Sequence, residues 1–368
     1  MSKISYKINN LSRNIYFNRE ILKPIIDDIE KLNSDRKIFF IYDRKIDRSF
    51  IKSILDGLKI KGSKVIIAEA EGSKIKKNEK LLFKMLDTFI LHGFTKQSVL
   101  ICIGGGVLGD VSGLAASLYL RGMIYFNIPT TMTSIVDSCI GGKTAINYKN
   151  IINSVGNYYH PHSVYISTKL IKKIPHREYI AGFPEILKCA LISKNNFFLK
   201  FLINNKTNIF NRNETFLKKV CLETLKTKIS FFKEDVYEKA ERLNLNFGHT
   251  FAHAIEMSTD FSKKDFYRHG EAVGLGILCE LYYSNKKKNK IYNIVMKFLG
   301  ELKLPTKINF KKINSSLLHT AIYKSLYLDK KRINKFPRYI SLKTLGQPKI
   351  DYLDNDTLIN ETIANILG

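Results

Sequence analysis

The sequence predicts an α/β N-terminal half built on a parallel sheet, followed by an all-α C-terminal half, with the boundary at residues 178/179. Three observations carry this reading. Apolar runs that fit buried strands alternate with amphipathic helical stretches from residue 37 onward, in the order β-α-β-α-β expected of a parallel sheet with crossover helices. One of those strands runs directly into three glycines that open a helix. Past residue 178, strand candidates become few and helical periodicity takes over.

The start, MSKISYKINNLSRNIYF, is polar and broken, without the apolar core of a signal peptide. KIFFIYDRKI (37–46) and KVIIAEAEG (64–72) read as buried strands, and SFIKSILDGLKIKG between them as a helix ending at glycine. NEKLLFKMLDTFILHGF is a second helix and leads into the strand SVLICIGGG. GMIYFNIPTT and SVYISTKLIKKIP read as further strands. In the second half AGFPEILKCALI, NETFLKKVCLETLKTKISFFKEDVYEKAERLN and GEAVGLGILCELYYSNKK have helical periodicity, and LDKKRINKFPRYISL reads as a basic loop over the site. The cleft between the halves is the expected place for an active site.

At 368 residues and 45% hydrophobic content the chain can bury a sizeable core. No apolar run approaches the roughly 20 residues of a membrane span, so no membrane role is expected. The five cysteines (Cys102, Cys139, Cys189, Cys221, Cys279) are odd in number and never in CxxC spacing, which argues against a disulfide framework or a cysteine zinc site and fits a reducing cytoplasm. A net charge of +27 raises the question of nucleic acid. The lysines are spread along the whole chain rather than gathered in one block, so no nucleic-acid partner is expected and an anionic small molecule is the better use of the charge.

The strongest local signal is ICIGGGVLGDVSGLAASLYLRG (101–122), in which Gly104, Gly105 and Gly106 are followed by Gly109 and Asp110. Glycines at such a turn let the backbone approach a pyrophosphate at the helix start. Without a ligand the same run is a tight strand-to-helix turn. In NIPTTMTSIVDSCIGGKTAIN (127–147), Gly141-Gly142-Lys143-Thr144 imitates part of a P-loop, but Asp137 stands where the upstream glycine belongs. Lys143 on its glycine turn still suits an anion. Glu185 precedes Lys188 by three positions on a helical stretch, which by itself describes a surface ion pair equally well. In NFGHTFAHAIE (246–256), His249 and His253 lie four apart on one helix face, so both could bind one metal, or one could bind while the other moves protons. Glu185, His249 and His269 of YRHGEAV together offer the one-carboxylate, two-imidazole set of an open catalytic zinc site.

Taken together, GGGVLGD, PTTMTSIVDSCIGGKTAIN, PEILK, NFGHTFAHAIE, HGEAV and LDKK resemble the 3-dehydroquinate synthases, members of the sugar-phosphate cyclases, in the family's order from about residue 43 to 345. The resemblance implies an α/β N-terminal Rossmann-like nucleotide-binding domain (1–178) plus an all-α C-terminal metal- and substrate-binding domain (179–368). It implies NAD, one divalent metal (zinc, with cobalt as the alternative) and a homodimer. The reaction implied is conversion of 3-deoxy-D-arabino-heptulosonate 7-phosphate to 3-dehydroquinate and phosphate, by NAD-mediated oxidation, phosphate elimination, reduction and aldol closure.

The resemblance also assigns residues. Glu185, His249 and His269 are the implied metal ligands, and His253, Glu238 and Lys188 the implied catalytic groups. Arg121, Asp137, Asn153, Lys228, Arg242, Asn246 and one of Lys330 and Lys331 are implied to hold substrate. Asp43, Gly72, Lys76, Gly105, Gly106, Val107, Leu108, Gly109, Asp110, Thr130, Thr131, Lys143, Leu170, Ile171, Lys172 and Lys173 are implied to line the cofactor. Two departures stand in that cofactor shell, Ile152 for a lysine and Ser73 for a glutamate; two more, Ala252 and Ala240, replace glycines. Weaker NAD binding, rather than lost chemistry, is the expected result. The rival readings are another cyclase of the same shell, a metal-dependent polyol dehydrogenase that would release NADH, and a basic binding protein that has lost catalysis.

Overall fold

The structure is a computed structural model that describes residues 2–149, 151–259, 266–308, 315–328 and 336–367. The chain divides into two compact units, Met1–Pro175 and His176–Gly368.

The first unit is a seven-stranded sheet with helices on both faces. Its strands are β1 (Ser2–Ile8), β2 (Leu11–Asn18), β3 (Lys37–Asp43), β4 (Lys64–Ala70), β5 (Val99–Gly104), β6 (Ile124–Pro129) and β9 (Ser163–Ser167), in the order β1-β2-β9-β6-β5-β3-β4. All neighbours are parallel except β1 and β2. Every residue of β5, β6 and β9 is buried, as expected of parallel strands covered on both faces. Helices α1 (Leu22–Leu32) and α2 (Arg48–Ile60) cover one face, through Ile25, Ile29, Ile51, Ile54 and Leu58. Helices α3 (Glu79–Leu91) and α4 (Gly106–Leu118) cover the other, through Leu82, Met85, Phe89, Leu108 and Val111. Asp47 and Asn78 accept N–H bonds at the starts of α2 and α3, the capping that short polar side chains supply.

In the first unit three elements differ from the sequence expectation. The polar start is the β1–β2 hairpin, turned by Asn9 and Asn10, both in the left-handed region that a two-residue hairpin turn requires. Its outer strand is wet on one face, so its pattern of charge and apolar residues conceals a strand. SVYISTKLIKKIP is a strand only over Ser163–Ser167 and then becomes the short helix α5 (Thr168–Lys173). Lys143–Tyr148 and Ile151–Tyr158 form a separate antiparallel hairpin, β7 and β8.

The second unit holds α6 (His176–Ile180), α7 (Phe183–Ile192), α8 (Asn196–Ile203), α9 (Lys206–Phe210), α10 (Glu214–Phe232), α11 (His249–Thr259), α12 (His269–Asn285), α13 (Lys290–Glu301), α14 (Ser315–Leu328) and α15 (Asp356–Ile366). Among the described residues it is helical apart from one antiparallel hairpin, β10 (Arg338–Ser341) with β11 (Lys349–Tyr352), so the RYIS part of the expected loop is a strand. The long helix expected from Asn213 to Asn244 ends at Phe232. Asp235 stops it by accepting the N–H groups of Lys239, Ala240 and Arg242. Helix α7 is buried at all ten positions and α12 at most of its length, which marks them as the centre of this unit. Helix α12 packs against α7, α11, α13 and α15.

Asp28 of α1 is the polar tie of the first unit: it is buried and accepts from Tyr16 (3.1 Å), Ser163 (2.6 Å) and Tyr165 (2.7 Å). It thereby joins α1 to β2 and β9. Asp28→Ala strands these hydroxyls, at about 1–3 kcal/mol for each group left unsatisfied, offset by relief of the buried charge. We expect a net loss of roughly 3 kcal/mol in urea unfolding. A loss below about 1 kcal/mol would show that the hydroxyls find other acceptors.

Candidate active site

In the first unit the sheet order reverses between β3 and β5: the chain leaves β3 for β4 on one side, then returns to β5 on the other. Open α/β sheets bind ligands at the carboxyl ends of the strands flanking such a reversal. Asp43 ends β3 and Gly104 ends β5 at this point. Gly105 caps α4 in an extended conformation, and Thr131 lies so close that a Cβ on Gly105 would stand 3.1 Å from its methyl. Thr131 is fixed by its hydroxyl contact to Ser134 (2.9 Å). Gly72, in the loop after β4, meets Asp43 so closely that a Cβ there would lie 2.3 Å from the carboxylate. Asp43, Gly72, Gly105, Gly106 and Thr131 therefore share the C-terminal end of the sheet. Val107 and Asp110 are half-buried on α4, while Leu108 and Gly109 are buried.

The lysine that enters this region is Lys77, next to the exposed Lys76 singled out in the sequence. Lys77 is buried and reaches Asp110 and Asn153, both at 2.5 Å. Sequence spacing missed it because the run Lys74, Lys76, Lys77 offers several lysines, and only the fold decides which side chain turns inward. Ile152 is 66% exposed on β8, so this position faces solvent. Thr130 is half-buried and Lys143 exposed at the start of β7, while Asp137 lies in the turn Ser134–Ser138. Arg121 is exposed, its backbone in the left-handed region together with that of Leu120. Leu170 and Ile171 are buried, Lys172 is exposed, and Lys173 pairs with Asp47.

In the second unit three helix starts converge. Glu185 lies in the first turn of α7, His249 begins α11 and His269 begins α12. Their ligand atoms all lie within 4.8 Å of one another. Glu185 is 1% exposed, and Oε1 stands 3.6 Å from His249 Nε2 and 3.3 Å from His269 Nε2. Two donors bound about 2.1 Å from one tetrahedral ion lie about 3.4 Å apart, so these spacings fit a divalent cation. The other oxygen, Oε2, is 2.6 Å from Lys188 Nζ. Oε2 is thus met by an ammonium, while Oε1 finds no hydrogen-bond geometry with a donor among the described residues, as suits an oxygen that faces a cation. Burial opposes the charge on Glu185, but Lys188 and His269 outweigh it and hold the carboxyl well below the usual range.

The second ring nitrogens have partners of their own. His249 Nδ1 faces the Phe247 carbonyl at 3.2 Å, which can only accept, so Nε2 is the unprotonated nitrogen. His269 Nδ1 faces Glu256 at 3.3 Å. Burial works against a charge on His269, yet Glu256 and Glu185 outweigh it and push its pKa up to about 10. Glu256 was not foreseen in the sequence; its position one helical turn past His253 could have signalled it. His253 is half-buried on α11, its ring 5.6 Å from that of His249 and 6.3 Å from that of His269.

Close backbone packing brings these helix starts together. A Cβ on Gly276 of α12 would stand 1.9 Å from the Gly248 carbonyl oxygen, and one on Gly270 would stand 1.7 Å from that of Ala181. Arg177 of α6 clasps Glu271 in the first turn of α12 with bonds of 2.8 and 2.7 Å. Nearby on the chain, Asn246 donates to Glu238 (2.6 Å), and Glu238 has a left-handed backbone. Arg242 is buried, donates to the Val236 carbonyl (2.6 Å) and lies over the Phe232 ring. Lys228 is buried on α10. Lys330 and Lys331 lie outside the described residues.

Comparison with known proteins covers both units. A family model described as 3-dehydroquinate synthase N-terminal matches residues 64–181, and one described as 3-dehydroquinate synthase C-terminal matches 182–332. The chain is 36% identical to the 3-dehydroquinate synthase of Pelagibacter ubique, over 98% of each chain. The chain belongs to the 3-dehydroquinate synthase family. The synthase of Thermodesulfovibrio yellowstonii is 30% identical over 96% of each chain. Among solved structures, 2-deoxy-scyllo-inosose synthase complexed with carbaglucose-6-phosphate, NAD+ and Co2+ has the same fold, with a TM-score of 0.85, 24% identity and full coverage of both chains. A 2-epi-5-epi-valiolone synthase from Streptomyces hygroscopicus with NAD+ and Zn2+ bound matches at a TM-score of 0.83, with 20% identity over 98% of each chain.

The 3-dehydroquinate synthase geometry predicts different fates for the two histidines of α11. His249→Ala should lose the bound divalent cation, whereas His253→Ala should retain it, as read by elemental analysis of the purified variants. Equal metal content in the two variants would overturn this division.

Proposed function

We propose that the protein is a 3-dehydroquinate synthase, converting 3-deoxy-D-arabino-heptulosonate 7-phosphate to 3-dehydroquinate and phosphate. The observation that carries this is the match to curated 3-dehydroquinate synthases across nearly the whole chain, at up to 36% identity among those compared. Other cyclases share the fold at 24% identity or less.

The donor set of Glu185, His249 and His269 fits a divalent cation, zinc or cobalt. The reversal between β3 and β5, with the glycine turn before α4, fits NAD: N–H groups at the start of α4 suit the pyrophosphate, and Asp43 a ribose hydroxyl. When bound, the cation supplies Lewis-acid polarisation of a substrate hydroxyl, and NAD supplies a hydride acceptor that is restored within the turnover. The chain's own residues supply placement, charge and proton handling. Lys188 holds Glu185 through Oε2, leaving Oε1 toward the two imidazoles. Lys228 and Arg242 hold the anionic groups of the substrate, and Asn246 is oriented for it by Glu238. Arg121, Asp137, Lys143 and Asn153 complete the polar set. His253 takes and returns the proton, the acid–base role a positioned imidazole fills.

We further propose a cytoplasmic homodimer. The buried free thiols suit a reducing compartment. Among the described residues, no helix is long and apolar enough to cross a membrane. Light scattering should give twice the chain mass, and a monomer at micromolar concentration would contradict the dimer.

The function is tested by phosphate release from the heptulosonate phosphate. Release should require both NAD and a divalent cation, stop with a chelator, and leave no net NADH. His253→Ala should lower the rate by ~10²–10⁴-fold. Steady NADH accumulation on a simple alcohol, without phosphate release, would instead identify a dehydrogenase.

A further inference from the structure

We propose that Glu280 is a positioning residue for the metal centre: its buried carboxylate grips the backbone on both sides of His249 and fixes that imidazole before a cation arrives. This rests on the metal reading above but not on the identity of the substrate. Glu280 lies on α12, eleven residues past His269, about 16 Å along the helix axis. It belongs to a different part of α12 from the ligand set.

Glu280 is 0% exposed, and its carboxylate accepts from backbone N–H groups. Oε2 accepts from Gly248 (2.8 Å) and Ile340 (3.3 Å), and Oε1 accepts from Thr250 (3.1 Å). The donors Gly248 and Thr250 bracket His249. The first N–H groups of a helix have no partner within it, and Gly248 has no side chain to cap them. Glu280 supplies that cap from a neighbouring helix, and as a carboxylate it also suits the positive end of α11. Thr250 adds a second tie, its hydroxyl donating to the Arg338 carbonyl (2.8 Å), so strand β10 is held to the same stretch.

The consequence for the ligand is geometric. The Phe247 carbonyl takes His249 Nδ1, and the backbone from Phe247 to Thr250 therefore sets both the tautomer and the aim of Nε2. The contact between Gly276 and Gly248 fixes this stretch sterically, and Glu280 fixes it by hydrogen bonds. A shift of that backbone moves Nε2 against Glu185 Oε1 without touching either side chain. Groups that orient ligands in this way change metal affinity by about 10–100-fold when altered.

The test is Zn2+ titration, by competition with a chelating dye, of wild type and the isosteric Glu280→Gln variant, with folding followed by circular dichroism. The substitution places an amide donor against N–H donors, so the stretch should loosen. The expected result is a folded variant whose Zn2+ dissociation constant rises ~10–100-fold, with turnover recovering at high Zn2+. A folded variant with wild-type Zn2+ affinity overturns the proposal, even if its melting temperature falls, because a purely structural residue would do that. A wild type that takes up no Zn2+ overturns the metal reading and this one together. Should Glu280→Gln not fold, hydrogen exchange of the wild type decides. Protection of the 247–251 segment in the metal-free protein equal to that with Zn2+ supports pre-positioning, and protection that appears only with Zn2+ overturns it.

Discussion

The second unit is arranged around one buried charge. A carboxylate as enclosed as that of Glu185 survives only if its partners are already in place, since an unmatched buried charge costs several kcal/mol. Lys188 on the same helix meets one oxygen and the two imidazoles meet the other. This demand fixes where α11 and α12 must begin. It also explains the small residues at their crossing, because a side chain at Gly276 or Gly270 would push a ligand-bearing helix start out of reach. The positive helix ends gathered there are each met by a carboxylate: Glu185 within α7, Glu280 across to α11 and Glu271 within α12.

The first unit solves a different problem by topology. Reversal of strand order leaves a gap between the helices that follow β3 and β5, and the chain fills its rim with residues chosen for what they lack. Glycine at 72 and 105 admits Asp43 and Thr131 to close range. Lys77 brings a cation to Asp110 and Asn153 through a side chain that the local sequence does not distinguish from its neighbours. Asn153, which Lys77 meets, is the neighbour of Ile152 on β8.

The parallel strands were legible in the sequence because β3, β5 and β6 are continuous apolar runs, two of them ending at glycine or proline. Strands β1 and β8 were concealed, since their exposed faces carry the same polar mixture as loops. The break after Phe232 was hidden for another reason: helical periodicity continued in the residues, while the stop comes from Asp235 capturing three later N–H groups. At the site, the three side chains that cluster could be read from motifs. Their supporting carboxylates could not, since Glu256 and Glu280 look like ordinary helix glutamates until the packing turns them inward.

The pairing of His249 with His253 illustrates how packing overrides spacing. Four residues on a helix put both rings on one face, and that spacing alone permits a shared ion. The fold withdraws the permission. Glu185 lies near tetrahedral spacing from His249 and from His269, so the third donor of the cluster comes from α12 rather than from the next turn of α11. The two rings on α11 stand at 90° to each other, and the ligand set within 4.8 Å does not include His253. Three protein donors would leave a fourth position open on a bound ion, as a catalytic ion requires. The same helix thus gives one imidazole to the cluster around the α7 carboxylate and leaves the other outside it.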